Sequence, residues 1–221
     1  MYVQYPRVTQ VIGEMMPQEW LVQWRKKVGK RKAAKIQRES STVGTIVHYR
    51  ILKQLVKYPL PMPRFKIKNC PTNIKSLCEI AEHQWDVLQS SGTLQIEEGR
   101  REIEKFTLEH DLKVCGTYDI GAHIRYRGEK PLWSIADLKT SPMAYESHFV
   151  QLGAYALFMD PYPDQGLVIS LCPYVEKNPT LEAKVFKIDR PELERRSQEF
   201  IDMLNDFHEK YPDVKKFKYS K

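Results

Sequence analysis

Two short apolar runs, separated by a polar turn and each carrying a carboxylate near its end, constrain this chain more than any other feature. Val114 to Ile120 holds Asp119, and Leu132 to Ala136 leads into Asp137-Leu138-Lys139. Both runs are short and hold β-forming residues, so they read as strands. The intervening Arg125-Tyr126-Arg127-Gly128-Glu129-Lys130 has turn chemistry and precedes Pro131. The pattern predicts a hairpin. On a strand, residues i and i+2 share a face, so Asp137 and Lys139 point together and Leu138 points to the core.

Two carboxylates and a lysine at the ends of neighbouring strands suit metal-dependent cleavage of a phosphodiester. Carboxylates hold a hard divalent cation. The lysine supplies a point charge or assists the attacking water. Asp-x-Lys alone reads as an exposed ion pair. A preceding strand with Gly-x-x-Asp, here Gly116 to Asp119, makes the combination more informative.

Around this hairpin the chain reads as helices and two further strands. Met16 to Lys30 carries Trp20, Leu21, Trp24 and Val28 at helical spacing, with Gly29 near its end. A second helix is predicted from Thr42 to Lys57, with Val43, Val47, Ile51 and Leu55 on one side and His48 beside that stripe. Lys26, Lys27, Lys30, Arg31, Lys32, Lys35 and Arg38 make a basic stretch. It reads either as a solvated helix face or as a face that tracks phosphates. Tyr2, Tyr5, Trp20 and Trp24 either stack on bases or, for the tryptophans, fill core. Pro59 to Pro71 is proline-rich and basic, a connector or lid. Helices are also predicted over Asn73 to Gln89, Ser147 to Met159 and Pro191 to Tyr211. Gly166 to Cys172 reads as a buried strand and Ala183 to Ile188 as an edge strand. Lys215 to Lys221 reads as a frayed basic tail.

Composition narrows the class. The net charge of +7 favours a polyanionic partner. No run approaches the roughly 18 apolar residues of a membrane span, and the first residues are polar, so an intracellular protein that touches no membrane is expected. Cys70, Cys78, Cys115 and Cys172 form no Cys-x-x-Cys pair, which leaves a zinc site poorly supported. Cys115 reads as a buried thiol.

Five segments, in order, resemble the PD-(D/E)XK nuclease superfamily and its RecB-like branch. They are Gly44 to His48, Ile103-Glu104, Gly116 to Asp119, Asp137 to Thr140 and Gln151 to Tyr155. Tyr5-Pro6-Arg7-Val8-Thr9, then Met16-Pro17 and Trp24, are similar to mitochondrial genome maintenance exonucleases and phage or viral relatives. The resemblance covers roughly residues 5–160. It implies an α/β fold: a mixed central sheet flanked by helices, with an N-terminal helical region. The whole chain is read as one nuclease domain, with a mainly helical part over 1–100, the catalytic sheet over 101–190 and a C-terminal helix and basic tail over 191–221.

The resemblance implies roles as well. Asp119 and Asp137 would hold Mg²⁺ or Mn²⁺, with Glu104, His48 and the carbonyl of Leu138 completing the shell. Lys139 would position or deprotonate the attacking water. Gln151 and Tyr155, four apart on one helix face, would orient the phosphate and sugar, with Thr140 beside them. Lys26, Lys27, Lys30 and Lys32 would grip the strand. Glu109 and Asp111 compete with Glu104 and read as exposed. Some RecB-like nucleases hold an iron–sulfur cluster on one early cysteine and three late ones. Only Cys172 lies in the last hundred residues, so no cluster is expected. The superfamily's proline is replaced by Tyr118. The expected partner is DNA, as single strands or ends, and the oligomeric state stays open, a homo-oligomer included. Two other readings remain: a junction-resolvase-like endonuclease, and a non-catalytic DNA-binding protein on the same fold.

Overall fold

The computed structural model describes residues 5–16, 19–60 and 72–212. Most of the Pro59 to Pro71 segment, the basic tail, Tyr2, Pro17 and Cys70 lie outside the described residues, as does the side chain of Trp20. The described chain is a mixed five-stranded sheet with helices on both faces. Three helices come first: α1 (Val8–Met15), α2 (Glu19–Val28) and α3 (Lys30–Gln54). After α4 (Thr72–Ser90) come β1 (Leu94–Glu109), β2 (Val114–Tyr126) and β3 (Leu132–Lys139). Then follow α5 (Glu146–Ala156), β4 (Gln165–Ser170), β5 (Lys184–Asp189) and α6 (Arg190–Lys210).

The strands lie in sequence order. β1, β2 and β3 form an antiparallel meander, β3 and β4 are parallel, and β5 is antiparallel to β4. The parallel step needs a crossover, and α5 supplies it. Every residue of β4 is buried, as expected for an inner strand covered on both faces. β5 has no buried residue and mixes exposed with half-buried positions, as an edge strand does. The hairpin expected between β2 and β3 is present, with Arg127 and Gly128 both at positive φ in its turn.

Two apolar layers sandwich the sheet. On one face α3 and α4 bring Ile46, Val47, Ile51 and Trp85 against Ile120, Ile124 and Leu138. On the other, α1, α5 and α6 bring Val8, Leu152, Phe200 and Phe207 against Val114, Tyr118 and Ile135. α6 starts on a side-chain cap: Asp189 Oδ1 accepts from the Glu192 N–H at 3.1 Å, with Pro191 in the first turn. α5 and α6 touch backbone to backbone at Gly153, where an added Cβ would sit 2.5 Å from the backbone of Arg196 and Ser197.

One boundary differs from the sequence expectation. The second helix starts at Lys30, not near Thr42, and runs 25 residues. Gly29, at φ +89°, separates it from α2. Between Lys30 and Gln54 no proline interrupts, and Gly44 is tolerated inside the helix. The apolar stripe begins only where α3 meets the sheet. The first ten residues bury little beyond Ala33, which is why periodicity hid them.

Candidate metal centre at a break in strand alternation

The site begins with an irregularity in β1 and β2. Along β2, Val114 and Tyr118 pack in the layer of α1, α5 and α6, whereas Ile120, Ala122 and Ile124 pack against α3 and α4. In a regular strand Tyr118 and Ile120 would share a face. The alternation therefore changes phase at Asp119. On β1, Ile103 pairs with Ile120 and Lys105 with Tyr118, so Glu104 stands across from Asp119. Glu104 has φ +50°, a left-handed conformation that a non-glycine residue rarely adopts inside a strand.

That break brings both carboxylates to His48 on α3. One ligand atom each from His48, Glu104 and Asp119 lies within 4.8 Å of the other two. His48 Nδ1 is 3.5 Å from Asp119 Oδ2. The same oxygen accepts a hydrogen bond from the Leu138 N–H at 2.8 Å, which fixes the Asp119 rotamer against β3. Asp119 is buried, His48 half-buried and Glu104 exposed, so the group is open on the glutamate side.

Asp137 and Lys139 lie on the other side of β3. Ala136 and Leu138 face α3 and α4, and Ile135 faces α5, so Asp137 and Lys139 follow Ile135 toward α5. Lys139 Nζ is 2.5 Å from Asp137 Oδ2 and donates to Gln151 Oε1 at 3.4 Å. Gln151 Nε2 in turn donates to Asp137 Oδ1 at 3.1 Å. The three side chains close a ring of contacts between β3 and α5. Asp137 is thus linked to the His48 group through Asp119 and the Leu138 backbone, not as a member of it.

The charges follow this layout. Burial works against the Asp119 anion, but the His48 ring, the Lys139 ammonium and the Leu138 N–H outweigh it and hold the carboxyl below its ordinary range. Burial likewise disfavours a charged His48, yet Asp119 raises its pKa. Glu104 is exposed as a residue, but its carboxyl sits against the His48 and Asp119 side chains, and that partial desolvation with the charge of Asp119 raises its pKa. Burial pushes Asp137 up to about 6; Lys139 opposes that rise and Asp119 adds to it.

Tyr155 is packed rather than presented. It is buried, takes a hydrogen bond from the Thr117 backbone, and lies so close to Gly116 that a Cβ there would be 2.5 Å from Tyr155 Cε1. That approach gives Gly116 its reason. Thr140 lies beside α3, its Oγ1 3.5 Å from where a Cβ on Gly44 would stand, one turn before His48. Lys26, Lys27, Lys30 and Lys32 are exposed on the α2–α3 arm, and no contact among the described residues joins them to the carboxylates. Glu109 and Asp111 do not join the group; Asp111 is exposed and Glu109 half-buried. The thiol of Cys115 is buried, as expected.

One residue escaped the sequence reading. His148, three positions before Gln151 on α5, accepts the Tyr145 N–H on Nδ1 at 3.2 Å. Burial and then the Lys139 charge push its pKa down to about 3. It is a neutral ring whose remaining nitrogen, Nε2, carries the proton. Its spacing from Gln151 was the available signal.

An imidazole and two carboxylates are a donor set suited to a divalent cation, and oxygen-rich sites of this kind take Mg²⁺ or Mn²⁺. The residues present therefore fit such an ion. No family model matches the sequence, and no curated protein matches it. Among solved structures, the crystal structure of SSO0001 is similar over 72% of this chain and 84% of that chain, with 12% sequence identity and a TM-score of 0.31. A likeness that loose carries no argument about chemistry. No helix among the described residues is long and apolar enough to cross a membrane.

Proposed function

We propose that this chain is a divalent-metal-dependent deoxyribonuclease, similar to the RecB-like branch of the PD-(D/E)XK nucleases, acting on single-stranded DNA or DNA ends. The observation that carries the reading is the meeting of His48, Glu104 and Asp119 at the break between β1 and β2, beside Asp137, Lys139 and Gln151. His48, Glu104 and Asp119 would hold the cation. Bound there, Mg²⁺ or Mn²⁺ supplies Lewis acidity and neutralises charge developing on phosphate oxygens.

The chain's own groups do the rest. Asp119 is kept anionic and its rotamer is fixed by the Leu138 N–H, so the ligand geometry is set before substrate arrives. Lys139 Nζ carries positive charge to a phosphate oxygen and donates a hydrogen bond that positions the attacking water. Gln151 orients Lys139 through its Oε1. His148, neutral by its surroundings, offers a hydrogen bond without adding charge. The net charge of +7 favours the polyanion.

The test is an end-labelled DNA panel: linear single strands, closed single-stranded circles, duplex and branched DNA, each with Mg²⁺, Mn²⁺ or chelator. Linear single strands should be degraded with metal and untouched in chelator, while circles resist. Equal cleavage of circles would favour an endonuclease. Binding without cleavage in either metal would favour a non-catalytic DNA-binding protein.

A further inference from the structure

Beside Glu104 lies a cavity of 600 Å³, lined among others by Tyr58, Leu60, Arg101, Lys105, Phe106 and Thr117. Its size is that of a site for a small ligand or one to two nucleotides. Two of its walls are aromatic and open to solvent. Phe106 is 60% exposed and Tyr58 55%. A single exposed ring on a surface needs no explanation. Two such rings in one cavity, next to a metal-suited carboxylate, do.

The fold presents these rings deliberately. Tyr58 follows α3, and its hydroxyl donates to the Ile103 carbonyl at 3.4 Å, so the ring is tethered over β1. Phe106 pairs with Thr117 on β2, two residues past Glu104. In unbroken alternation Phe106 would share the face of Glu102, toward Tyr118, with which Glu102 makes a hydrogen bond. The phase change at Glu104 places Phe106 instead on the face of Ile103, where Tyr58 is tethered, while Glu102 borders the same cavity from the other face. One irregularity thus aims both a ligand carboxylate and an aromatic ring into the same space. The basic residues of the cavity are already engaged. Arg101 donates to the carbonyls of Ile96 and Glu97, and Lys105 is 3.1 Å from Glu102. The recognition on offer is therefore ring stacking more than charge.

Resting on the nuclease reading, we propose that this cavity is a stacking subsite for an unpaired nucleotide next to the scissile bond, with Phe106 and Tyr58 as its platforms. Every base has a π-face, so such a site accepts any sequence. In a duplex those faces are covered by neighbouring pairs. The subsite therefore selects single strands or melted ends, and it places the flanking phosphate toward Glu104 and Asp119.

The experiment uses the full chain with short oligonucleotides containing 2-aminopurine, single-stranded and as duplex, in chelator so that nothing is cut. The probe's fluorescence should fall on binding the single strand, as stacking requires. Phe106→Ala should weaken single-strand affinity by about 5- to 150-fold, the range that base stacking on aromatics gives. Tyr58→Ala should act in the same direction, and Phe106→Trp should keep both affinity and quenching. Mn²⁺ binding measured by calorimetry should be unchanged in all three, which also reports that each variant is folded. Parent-like single-strand affinity in Phe106→Ala and Tyr58→Ala overturns the subsite. So does equal quenching by duplex. If the parent cuts DNA while these variants bind normally, the subsite alone falls. If the parent neither binds nor cuts DNA, the nuclease reading falls with it.

Discussion

Asp119 lies in the middle of β2, not at its end as the sequence suggested, and Asp137 near the end of the neighbouring β3, and the two live in different chemistry. Asp137 has a lysine at 2.5 Å and a glutamine amide at 3.1 Å, on a strand whose alternation is regular. Asp119 faces a second carboxylate on β1, with a half-buried imidazole at 3.5 Å and a backbone N–H at 2.8 Å, at a point where alternation fails. The first arrangement is a close ion pair inside a ring of side chains, with burial still weighing against the Asp137 anion. The second gathers like charge at a strained backbone. Glu104 at φ +50° costs on the order of 1–3 kcal/mol. Strain of this kind persists where the surrounding structure insists on it, and such places are often functional. On the proposed reading, the cation is held by Asp119, Glu104 and His48, and Asp137 acts mainly through Lys139.

Substitution of each aspartate by asparagine separates the two. Asp119→Asn removes the anionic donor that joins His48 to Glu104. Outer-shell changes already cost 10- to 100-fold in metal affinity, so this loss should reach at least about 100-fold. Asp137→Asn should leave Mn²⁺ affinity within about 10-fold while cutting the rate severely, because Lys139 loses its partner. Calorimetric titration with Mn²⁺ and cleavage of a labelled single strand measure both. An equal loss of metal affinity in the two variants would erase the contrast and make Asp137 a full ligand.

That contrast also marks how far the sequence could be read. The pairing of Asp137 with Lys139 and the burial of Leu138 came directly from the i, i+2 rule, because β3 obeys it. The hairpin turn, the edge character of β5 and the helices α4 and α6 were legible for the same reason: their periodicity is undisturbed. What was not legible is the phase change at Asp119. No glycine or proline marks Glu104, so nothing in the residue types announces a positive φ there. Glu104 was singled out through the family resemblance, and the break supplies a physical reason for its position. The start of α3 was hidden because its first turns leave the core and carry no apolar stripe. His148 was missed because its role depends on the Tyr145 N–H and on Lys139, contacts that form only when α5 packs on β3.

A middle-sized effect tests the Asp137 side through pH. Its folded pKa is raised from 3.8 to about 6. The unfolded chain therefore releases this proton first as pH rises. The contribution is fully present below about pH 4 and is lost between about pH 4 and 6, amounting to roughly 3 kcal/mol. Urea unfolding in metal-free buffer should show the parent losing stability relative to Asp137→Asn across that window. The difference in slope is the readout, since the asparagine variant also leaves Lys139 without its anion. Parallel curves from pH 4 to 7 would mean that Lys139 fully offsets the burial of Asp137.

The smallest effect tests the other side, at Glu104. Glu104→Gln removes the charge facing Asp119 but keeps a side chain that dislikes a left-handed backbone. Glu104→Gly removes the charge and the steric objection together. In an ordinary strand position glycine is the worse residue by about 0.5–1 kcal/mol, because it loses more freedom on folding and packs nothing. At φ +50° the order should reverse, with Glu104→Gly more stable than Glu104→Gln by about 1 kcal/mol. Both variants lose the same carboxylate, so neither metal binding nor like-charge relief distinguishes them, and unfolding in chelator isolates the backbone. A reversal places the strain at the residue that faces the cavity and Asp119, where it turns a strand side chain across the sheet to meet His48. If glutamine is the more stable of the two, β1 is unstrained at Glu104, and the break in alternation must be carried by Asp119 and β2 alone.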